Sequence, residues 1–507
     1  MKPSYPRGAT NRDSIARVTD PHAGSPLASR SGGVLLHPTS LPGAGPSGNL
    51  GTVAYRFAER LASTGLSWWQ TLPVGPVDPW RSPYSGPSAF AGNASLIAPE
   101  PLVAQGLLRA DEATGMKHEE TLRRAFDVFE AMARGALHDD FEAYCAAQED
   151  WLEDHALYTA LRSAHGGRSW TAWDAPIRDR EPAALARARR NLEEQTRFER
   201  FVQFLFDRQW DALRDRCREL GLRLLGDVPF YVAHESADVW SRAPLFLLDG
   251  QGRPTSTAGV PPDYFNEEGQ WWGNPLYRWD RHRDEGYAWW IARLGRALAR
   301  FDAVRLDHFI AIHNYWEIPD GARSAREGRW AGGPGVPFLQ TVFQRLDVGR
   351  FVAEDLGAIS DAVRDLRDRF GLPGMRVIQF GFDGDPDNEH LPHRYPPGCV
   401  AYTGTHDNNT SAGWFEQEAG PSRLAILEYL GSDGRAIHRD LARAVFASQA
   451  SVAILPAQDL LGLGSAARMN RPGVIEGNWT WRMSGSALPD DALEWLQDLA
   501  ARSGRGR

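Results

Sequence analysis

Short apolar segments recur along the chain between stretches with helical periodicity. The segments with strand character are residues 33–37, 68–73, 222–228, 303–307, 350–354, 375–380, 399–403 and 451–455. Continuous apolar runs of this kind are typical of buried parallel strands. Between them, residues 283–301 and 360–370 repeat apolar positions at helical spacing, and Ser360 is a suitable N-cap. This alternation of strand and helix predicts the α/β class and a (β/α)8 TIM barrel.

Uneven spacing of the predicted strands indicates insertions into the barrel. The longest gap contains charged helical patterns such as residues 193–220, and we interpret about 100–220 as a helical insertion. A second insertion, about 240–282, is rich in Gly, Pro and aromatic residues and is interpreted as a substrate-covering loop. Residues 1–30 are rich in Ser, Pro, Arg and Gly and predict a disordered tail, so the catalytic barrel domain is expected at 31–507.

Composition narrows the class of ligand and the compartment. A formal net charge of -9 gives no electrostatic basis for binding nucleic acid or an anionic membrane, and it suits a neutral substrate such as a sugar. The sequence has no apolar run of membrane-spanning length and no secretory h-region. The cysteines, Cys145, Cys217 and Cys399, are far apart, which fits a reducing cytoplasm. Nineteen Trp are a mild indication of flat surfaces for sugar rings, although large aromatic residues also fill ordinary cores.

Acidic side chains follow several of the predicted strands. Asp227 lies in the third strand, Asp307 ends the fourth, Glu354 ends the fifth and Asp407 follows the seventh. Active residues of such barrels lie at the carboxyl ends of strands, so these carboxylates are expected to converge. Any one of them could instead be a helix cap, but convergence of all four suits glycoside cleavage, which needs one protonated and one ionised carboxyl group. Arg305, two residues before Asp307, would point to the same side of the strand and keep that carboxylate ionised.

Other motifs support different chemistries less well. The GxGxxG pattern at 43–48 is separated from its strand and contains Pro46, so we interpret it as a loop and not a dinucleotide site. His37, His308 and His406 lie near strand ends and, with Asp227, could form a barrel metal site. That metallohydrolase hypothesis is weakened because no His-x-His pair ends a strand.

Longer strings then identify a family. They are HPTSLPG at 37–43, SPY at 82–84, SAFAGN at 88–93, PPDYF at 261–265, WGNPLY at 272–277, RLDHF at 305–309, AEDLG at 353–357, YTGTHDN at 402–408, RMNRPG at 468–473 and NW at 478–479. In this number and order the strings resemble glycoside hydrolase family 77, the amylomaltases or disproportionating enzymes, over about residues 31–483. The chain departs from the common pattern after Phe309, where Ile310-Ala311-Ile312 replaces an Arg-Gly type continuation, and the loop 382–393 is slightly short.

The resemblance implies a retaining 4-α-glucanotransferase that acts through a covalent glycosyl-enzyme. Asp307 is expected to be the nucleophile, Glu354 the general acid/base and Asp407 a third carboxylate that holds sugar hydroxyls. The substrate-binding residues that it implies are Arg305, His406, Asp227, His308, Ser82, Tyr84, Tyr264, Phe265, Trp272, Phe380 and Asn478. No cofactor or metal is expected, because the bond made resembles the bond broken. The expected partners are α-1,4-glucans, with glucose as an acceptor.

Two other functions stay open at this point. An α-amylase-like hydrolase on the same barrel would differ in the ratio of transfer to attack by water. A non-catalytic glucan-binding protein is a second alternative, although a binder has no need of three convergent carboxylates.

Overall fold

The structure is a computed structural model that describes residues 24–43, 45–262, 267–357, 359–485 and 487–507. Within them, twelve strands form two sheets. The strands are β1 Ser31–Leu35, β2 Trp68–Gln70, β3 Arg223–Val228, β4 Ser256–Val260, β5 Gln270–Pro275, β6 Ala303–Leu306, β7 Asn314–Pro319, β8 Arg329–Gly332, β9 Phe351–Ala353, β10 Met375–Val377, β11 Val400–Tyr402 and β12 Val452–Pro456.

The larger sheet is the barrel. Its strand order is β10-β11-β12-β1-β2-β3-β6-β9, and all neighbours are parallel. The seam between β9 and β10 is closed by a backbone hydrogen bond, in which Ala353 N donates to Pro373 O at 2.9 Å. The buried carboxylate of Asp355 continues the seam, since it accepts from Met375 N at 2.6 Å. A side chain therefore takes the place of a ladder hydrogen bond where the barrel closes.

Alternation along the strands fills the barrel interior. Leu225 and Ala303 belong to the apolar cluster inside the barrel, together with residues of the other barrel strands. Because side chains two residues apart on a strand face the same way, Asp227 and Arg305 also face inwards, one step closer to the carboxyl end. The interior is thus apolar below and charged at its mouth.

Helices surround the barrel and fill the segments between its strands. They are α1 Thr52–Ser63, α2 Pro99–Ala104, α3 Ala110–Gly115, α4 His118–Ala131, α5 Ala136–Ala147, α6 Glu149–Ala164, α7 Ala175–Arg178, α8 Pro182–Asn191, α9 Glu193–Glu219, α10 Ala237–Ser241, α11 Trp279–Asp284, α12 Ala288–Arg300, α13 Ile310–His313, α14 Gly335–Phe343, α15 Asp361–Arg369, α16 Ser411–Gln417, α17 Arg423–Leu430, α18 Ile437–Ala447, α19 Ala457–Leu460 and α20 Asp490–Arg502. Helices α2 to α9 lie between β2 and β3, where the sequence predicts the helical insertion.

The smaller sheet is antiparallel and has the order β5-β4-β7-β8. Its first two strands lie within 240–282, which the sequence analysis interpreted as a loop. That interpretation missed the strands because β4 pairs with β7, which comes after β6 in the chain. A pairing between segments so far apart leaves no local pattern in the sequence. The sheet therefore combines two insertions that follow neighbouring barrel strands.

The eight predicted barrel strands are confirmed, with shifts of a few residues at their ends. The helix predicted at 283–301 is wrong in its extent, because Tyr287 takes a left-handed conformation, φ 56°, between α11 and α12. Residues 24–30, placed in the predicted tail, pack against the barrel, where Leu27 is 3% exposed. Residues 1–23 of that tail lie outside the described residues, and the division into tail and catalytic domain stays a prediction.

Close approach of β1 and β2 predicts the effect of one substitution. A Cβ atom at Gly33 would press on the backbone carbonyl oxygen and the Cβ atom of Trp68. We expect Gly33→Ala to destabilise the fold by about 1–3 kcal/mol, the usual cost of overpacking, and to lower the midpoint of thermal unfolding. Gly250→Ala is the control, since a Cβ there meets nothing within 4 Å. Equal melting of both variants and the parent would contradict the packing described for these strands.

Candidate active site

A buried arginine joins two carboxylates at the carboxyl end of the barrel. Arg305 on β6 is the register partner of Asp227 on β3 and donates to its two oxygens at 3.2 and 3.0 Å. The same guanidinium donates to Asp307 Oδ1 at 2.8 and 2.7 Å. The Arg305 and Asp227 side chains are 5% and 1% exposed, whereas Asp307 is 25% exposed. Asp307 is therefore the carboxylate of this group that a ligand can reach.

Glu354 follows β9, the neighbour of β6, and is held by backbone amides. Its carboxylate accepts from His308 N at 2.7 Å and from Leu356 N at 3.0 Å. His308 has a left-handed backbone, φ 50°, which is uncommon for residues other than glycine. Such strain is tolerated where the surrounding structure enforces it. Here the strained residue is the one whose backbone N–H donates a hydrogen bond to the Glu354 carboxylate.

The environments of the carboxylates separate their protonation states. Burial raises the pKa of Glu354 to about 7, with Arg305 opposing the shift and the negative charge of Asp307 adding to it. Burial also raises the pKa of Asp227 to about 7, so the difference between these two groups lies in their partners: Arg305 and the Tyr84 hydroxyl bind the charged form of Asp227 directly. Asp307 accepts both bonds that Arg305 sends to it. This pattern suits a proton on Glu354 and a negative charge on Asp307.

A third carboxylate, Asp407, lies in the loop after β11. Asn470 Nδ2 donates to its Oδ1 at 2.6 Å, and His406 Nε2 lies 3.3 Å from the same oxygen. Arg468 donates to the backbone carbonyl of Asp407 at 2.6 Å. The Asp407 side chain is 44% exposed, so it is oriented by its neighbours but open to a ligand.

Aromatic rings cover both sides of this group. The Tyr84 ring stacks on His406 at 4.9 Å, and its hydroxyl donates to Asp227 Oδ2 at 2.7 Å. On the other side, Trp272 contacts the His308 ring edge-on at 4.8 Å. Burial lowers the pKa of His308 to about 4 and also lowers the pKa of His406, so both imidazoles are neutral near pH 7.

The remaining predicted site residues have mixed positions. Ser82 accepts from Tyr84 N at 3.2 Å and so shapes the Tyr84 loop. Asn478 is buried, and its side-chain amide forms hydrogen bonds with the backbone of Arg471 and Val474. In this structure it therefore stabilises its own loop. Phe380 is half-buried and its ring contacts His390. Tyr264 and Phe265 lie outside the described residues. The predicted substrate contacts of all five residues stay predictions.

Several residues at the mouth were not assigned by sequence. Asn470 and Arg468 hold Asp407, Trp479 lies 5.7 Å from the rings of both Tyr84 and His406, and Tyr231 packs near His308. The first three belong to strings already recognised as family motifs, RMNRPG and NW. That membership was the available signal, but spacing along the chain did not connect them with Asp407.

Two searches of the described residues complete the description. No group of three or more His, Cys, Asp and Glu in this part of the chain is arranged to hold a metal ion. No helix there is both long and apolar enough to cross a membrane.

The fold and the site define a (β/α)8-barrel enzyme that acts on glycosidic bonds. The family model described as 4-alpha-glucanotransferase, glycoside hydrolase family 77, matches residues 36–488. The chain therefore belongs to the 4-alpha-glucanotransferase family and is an enzyme of that activity. This confirms the resemblance found in the sequence motifs.

Individual relatives agree along almost their whole lengths. A 4-alpha-glucanotransferase of Thermus thermophilus is 44% identical over 94% of this chain and 99% of its own. One from Synechocystis is 42% identical over 93% of this chain and 96% of its own. The structure of amylomaltase from Streptococcus agalactiae in complex with acarbose superposes with a TM-score of 0.90 at 32% identity, covering 94% of this chain and all of that one. These comparisons favour neither the hydrolase nor the binding-protein alternative.

The hydrogen bond from the Tyr84 hydroxyl to Asp227 gives a testable prediction. We expect Tyr84→Phe to lower kcat/KM roughly tenfold to hundredfold. The reason is that the Asp227 carboxylate loses a hydrogen bond, and a hydrogen bond to a charged group is worth about 1.5–3 kcal/mol. The ring itself would still stack on His406. Tyr429→Phe is a matched control, since that hydroxyl contacts His393 at an exposed position. Activity of Tyr84→Phe within twofold of the parent would contradict a functional role for the hydroxyl.

The raised pKa of Glu354 predicts a pH dependence of stability. The pKa of Glu354 is about 7 in the folded protein, whereas the pKa of a glutamate in an unfolded chain is about 4.3. The protonated group therefore makes its full contribution to the stability of the fold only below about pH 4.3. Its contribution is lost as the pH rises through about 7. Glu354→Gln cannot ionise, so its midpoint of thermal unfolding should rise relative to that of the parent as the pH increases from 5 to 8. A difference that does not change with pH would show that Glu354 titrates normally.

Proposed function

We propose that the protein transfers segments of α-1,4-glucan by a retaining double displacement in which Asp307 is the nucleophile. One observation carries the proposal: Arg305 donates two hydrogen bonds to Asp307, while Glu354, after the adjacent strand, is bonded to no cation of the described residues and has a pKa raised to about 7. Two carboxyl groups in these different states are what retaining glycoside chemistry requires.

In the first half-reaction, protonated Glu354 gives its proton to the glycosidic oxygen. That bond breaks as an oxygen of Asp307 attacks the anomeric carbon, so the reducing-side segment leaves and a glycosyl-enzyme ester forms. Glu354 is then ionised. Its bonds from His308 N and Leu356 N stabilise this charged form and keep the carboxylate in place between the two steps.

In the second half-reaction, an acceptor sugar replaces the segment that left. Ionised Glu354 takes the proton of the acceptor 4-hydroxyl, the acceptor oxygen attacks the anomeric carbon, and the bond to Asp307 breaks. Two inversions give net retention, and Glu354 is again protonated. The acceptors that we propose are glucan chains and glucose.

Asp407 is proposed to hold hydroxyl groups of the sugar bound next to Asp307. Its bonds from Asn470 and its contact with His406 fix the carboxylate without closing it off from ligand. Arg305, His406, Asp227 and His308 are proposed to complete this side of the site.

Transfer requires that water compete poorly with the acceptor. We propose that the segment 240–282 covers the bound substrate and limits access of water. Trp272, which belongs to β5 in this segment and packs against His308, supports the idea. Together with Tyr84, Tyr264, Phe265 and Phe380 it would bind the faces of sugar rings.

The substrates are proposed to be maltooligosaccharides and glycogen-like or starch-like chains. The binding of acarbose by the Streptococcus agalactiae relative supports a carbohydrate ligand in this cleft. The location is proposed to be the cytoplasm, with which the free thiols of Cys217 and Cys399 are compatible.

The test of this function is incubation with maltotriose alone. We expect a ladder of longer maltooligosaccharides and free glucose, with the total number of reducing ends constant, because each transfer breaks one bond and makes another. Thin-layer chromatography and a reducing-end assay measure the two quantities. A steady rise in reducing ends without a ladder would contradict transfer.

Asp307→Asn tests the nucleophile. We expect kcat to fall by at least roughly a thousandfold, since the amide cannot form the glycosyl ester, while maltooligosaccharide binding survives. Asp433→Asn is the control, because Asp433 lies on the exposed surface and pairs with Arg435. Turnover of Asp307→Asn close to that of the control would remove Asp307 from the mechanism.

A further inference from the structure

Exposed tryptophans are concentrated on the antiparallel sheet. In the described part of the chain, the most exposed tryptophans are Trp80, Trp271, Trp272 and Trp330. The last three lie on β5 and β8. Exposed large aromatic side chains close together often mark a binding surface. Trp272 is accounted for by its contact with His308, but Trp271 and Trp330 are not.

Strand register places Trp271 and Trp330 on the face opposite to Trp272. Trp271 pairs with Gly259, Gly259 pairs with Trp316, and Trp316 pairs with Trp330. Directly paired residues share a face, so these positions form one row across all four strands. Trp271 and Trp272 are consecutive, and their side chains point to opposite faces.

Close packing at the centre of the row requires a glycine. A Cβ atom at Gly259 would press on the carbonyl oxygen of Gln270 and lie 2.6 Å from Ile318 Cδ1. No side chain larger than hydrogen fits there without movement of backbone. Gly259 is itself buried, so the exposed part of the row is made by the indole rings of Trp271, Trp316 and Trp330.

The indole rings are held in place by bonds to the protein. Trp271 Nε1 donates to Thr257 Oγ1 at 2.8 Å, and Trp316 Nε1 donates to Ala325 O at 2.8 Å. Trp330 packs edge-on against Trp316 at 5.4 Å. With two indole N–H groups already used, the surface offers ring faces and edges, and little entropy is lost when a ligand binds to rings that are already ordered.

The charges and the size of the patch fit a neutral ligand better than a protein. Arg326 pairs with Glu268 at 3.0 Å and Arg329 with Glu317 at 3.1 Å. Trp271 and Trp330 are 45% and 48% exposed, which leaves roughly 230 Å² of aromatic surface if each ring system offers about 250 Å² in full. A stable interface between two protein copies needs about 800 Å² on each.

We propose that Trp271, Trp316 and Trp330, here called the tryptophan row, bind an α-1,4-glucan chain outside the catalytic cleft. Strands are about 4.8 Å apart, so Trp271 and Trp330, three strands from each other, are separated by about 14 Å at the backbone. That span is longer than one sugar ring, and the ligand is accordingly a chain of several units. The row lies on the reverse of the sheet that carries Trp272, next to the cleft, and so retains polymeric substrate there.

The inference rests on the proposed function for the identity of the ligand, and its test separates the two. The double variant Trp271→Ala/Trp330→Ala is compared with the parent in affinity electrophoresis through gels that contain soluble amylose. We expect its dissociation constant for amylose to rise roughly tenfold, the effect of truncating well-placed aromatic anchors, and the ratio of amylose to maltotriose affinity to fall with it. Trp271→Tyr/Trp330→Tyr keeps flat rings and should retain most of the binding.

Leu424→Ala is the matched control, because Leu424 is an exposed apolar residue on α17, 79% exposed. Equal retardation of the double alanine variant, the control and the parent would overturn the tryptophan row as a glucan site. So would a parent dimer, measured by light scattering, that the alanine substitutions dissociate. If amylose binding falls but the parent forms no ladder from maltotriose, the row stands and the proposed function fails.

Discussion

The site depends on one buried guanidinium. Arg305 lies between Asp227 and Asp307 at the mouth of the barrel and binds both. A charge taken out of water is stable only when it is paired, and removing one member of such a group costs about 3–5 kcal/mol. Asp227, almost fully buried, therefore depends on Arg305 for its place in the fold. Asp307 accepts two hydrogen bonds from the same guanidinium, which fix its carboxylate at the mouth of the barrel.

The consecutive residues Glu354 and Asp355 show how closely the fold and the chemistry are linked. Asp355 points to the barrel seam, where Arg367 and Arg376 surround it and Met375 N donates to it. Glu354 points into the mouth, where backbone amides bind it and no cation in the described part of the chain is bonded to it. One acidic side chain therefore closes the barrel, and its neighbour keeps a raised pKa. The same strand end fixes both, so displacement of the seam would also displace Glu354, the proposed acid/base.

Much of this arrangement could be read from the sequence, for physical reasons that differ between residues. The barrel strands are buried on both faces, so they are mostly apolar and easily recognised. Asn470 and Asp407 are 63 residues apart, and nothing in local spacing connects them before the chain is folded. Gly286 and Tyr287 both take left-handed conformations between α11 and α12, and Gly286 was the available signal that the first helix ends there. The tryptophan row arises only when β5 pairs with β4, and β4 with β7, which is a matter of tertiary structure.

The central claim is that Asp307, held ionised by Arg305, becomes covalently bound to the donor glucan. Mass spectrometry of Glu354→Gln after brief exposure to a maltooligosaccharide donor with a good leaving group tests it most directly. In that variant both half-reactions lose their acid/base, but a good leaving group needs no proton, so the glycosyl-enzyme should accumulate. We predict a mass increase by whole glucosyl units, located on the peptide that contains Asp307. An adduct on another residue, or rapid turnover with no adduct, would contradict the account.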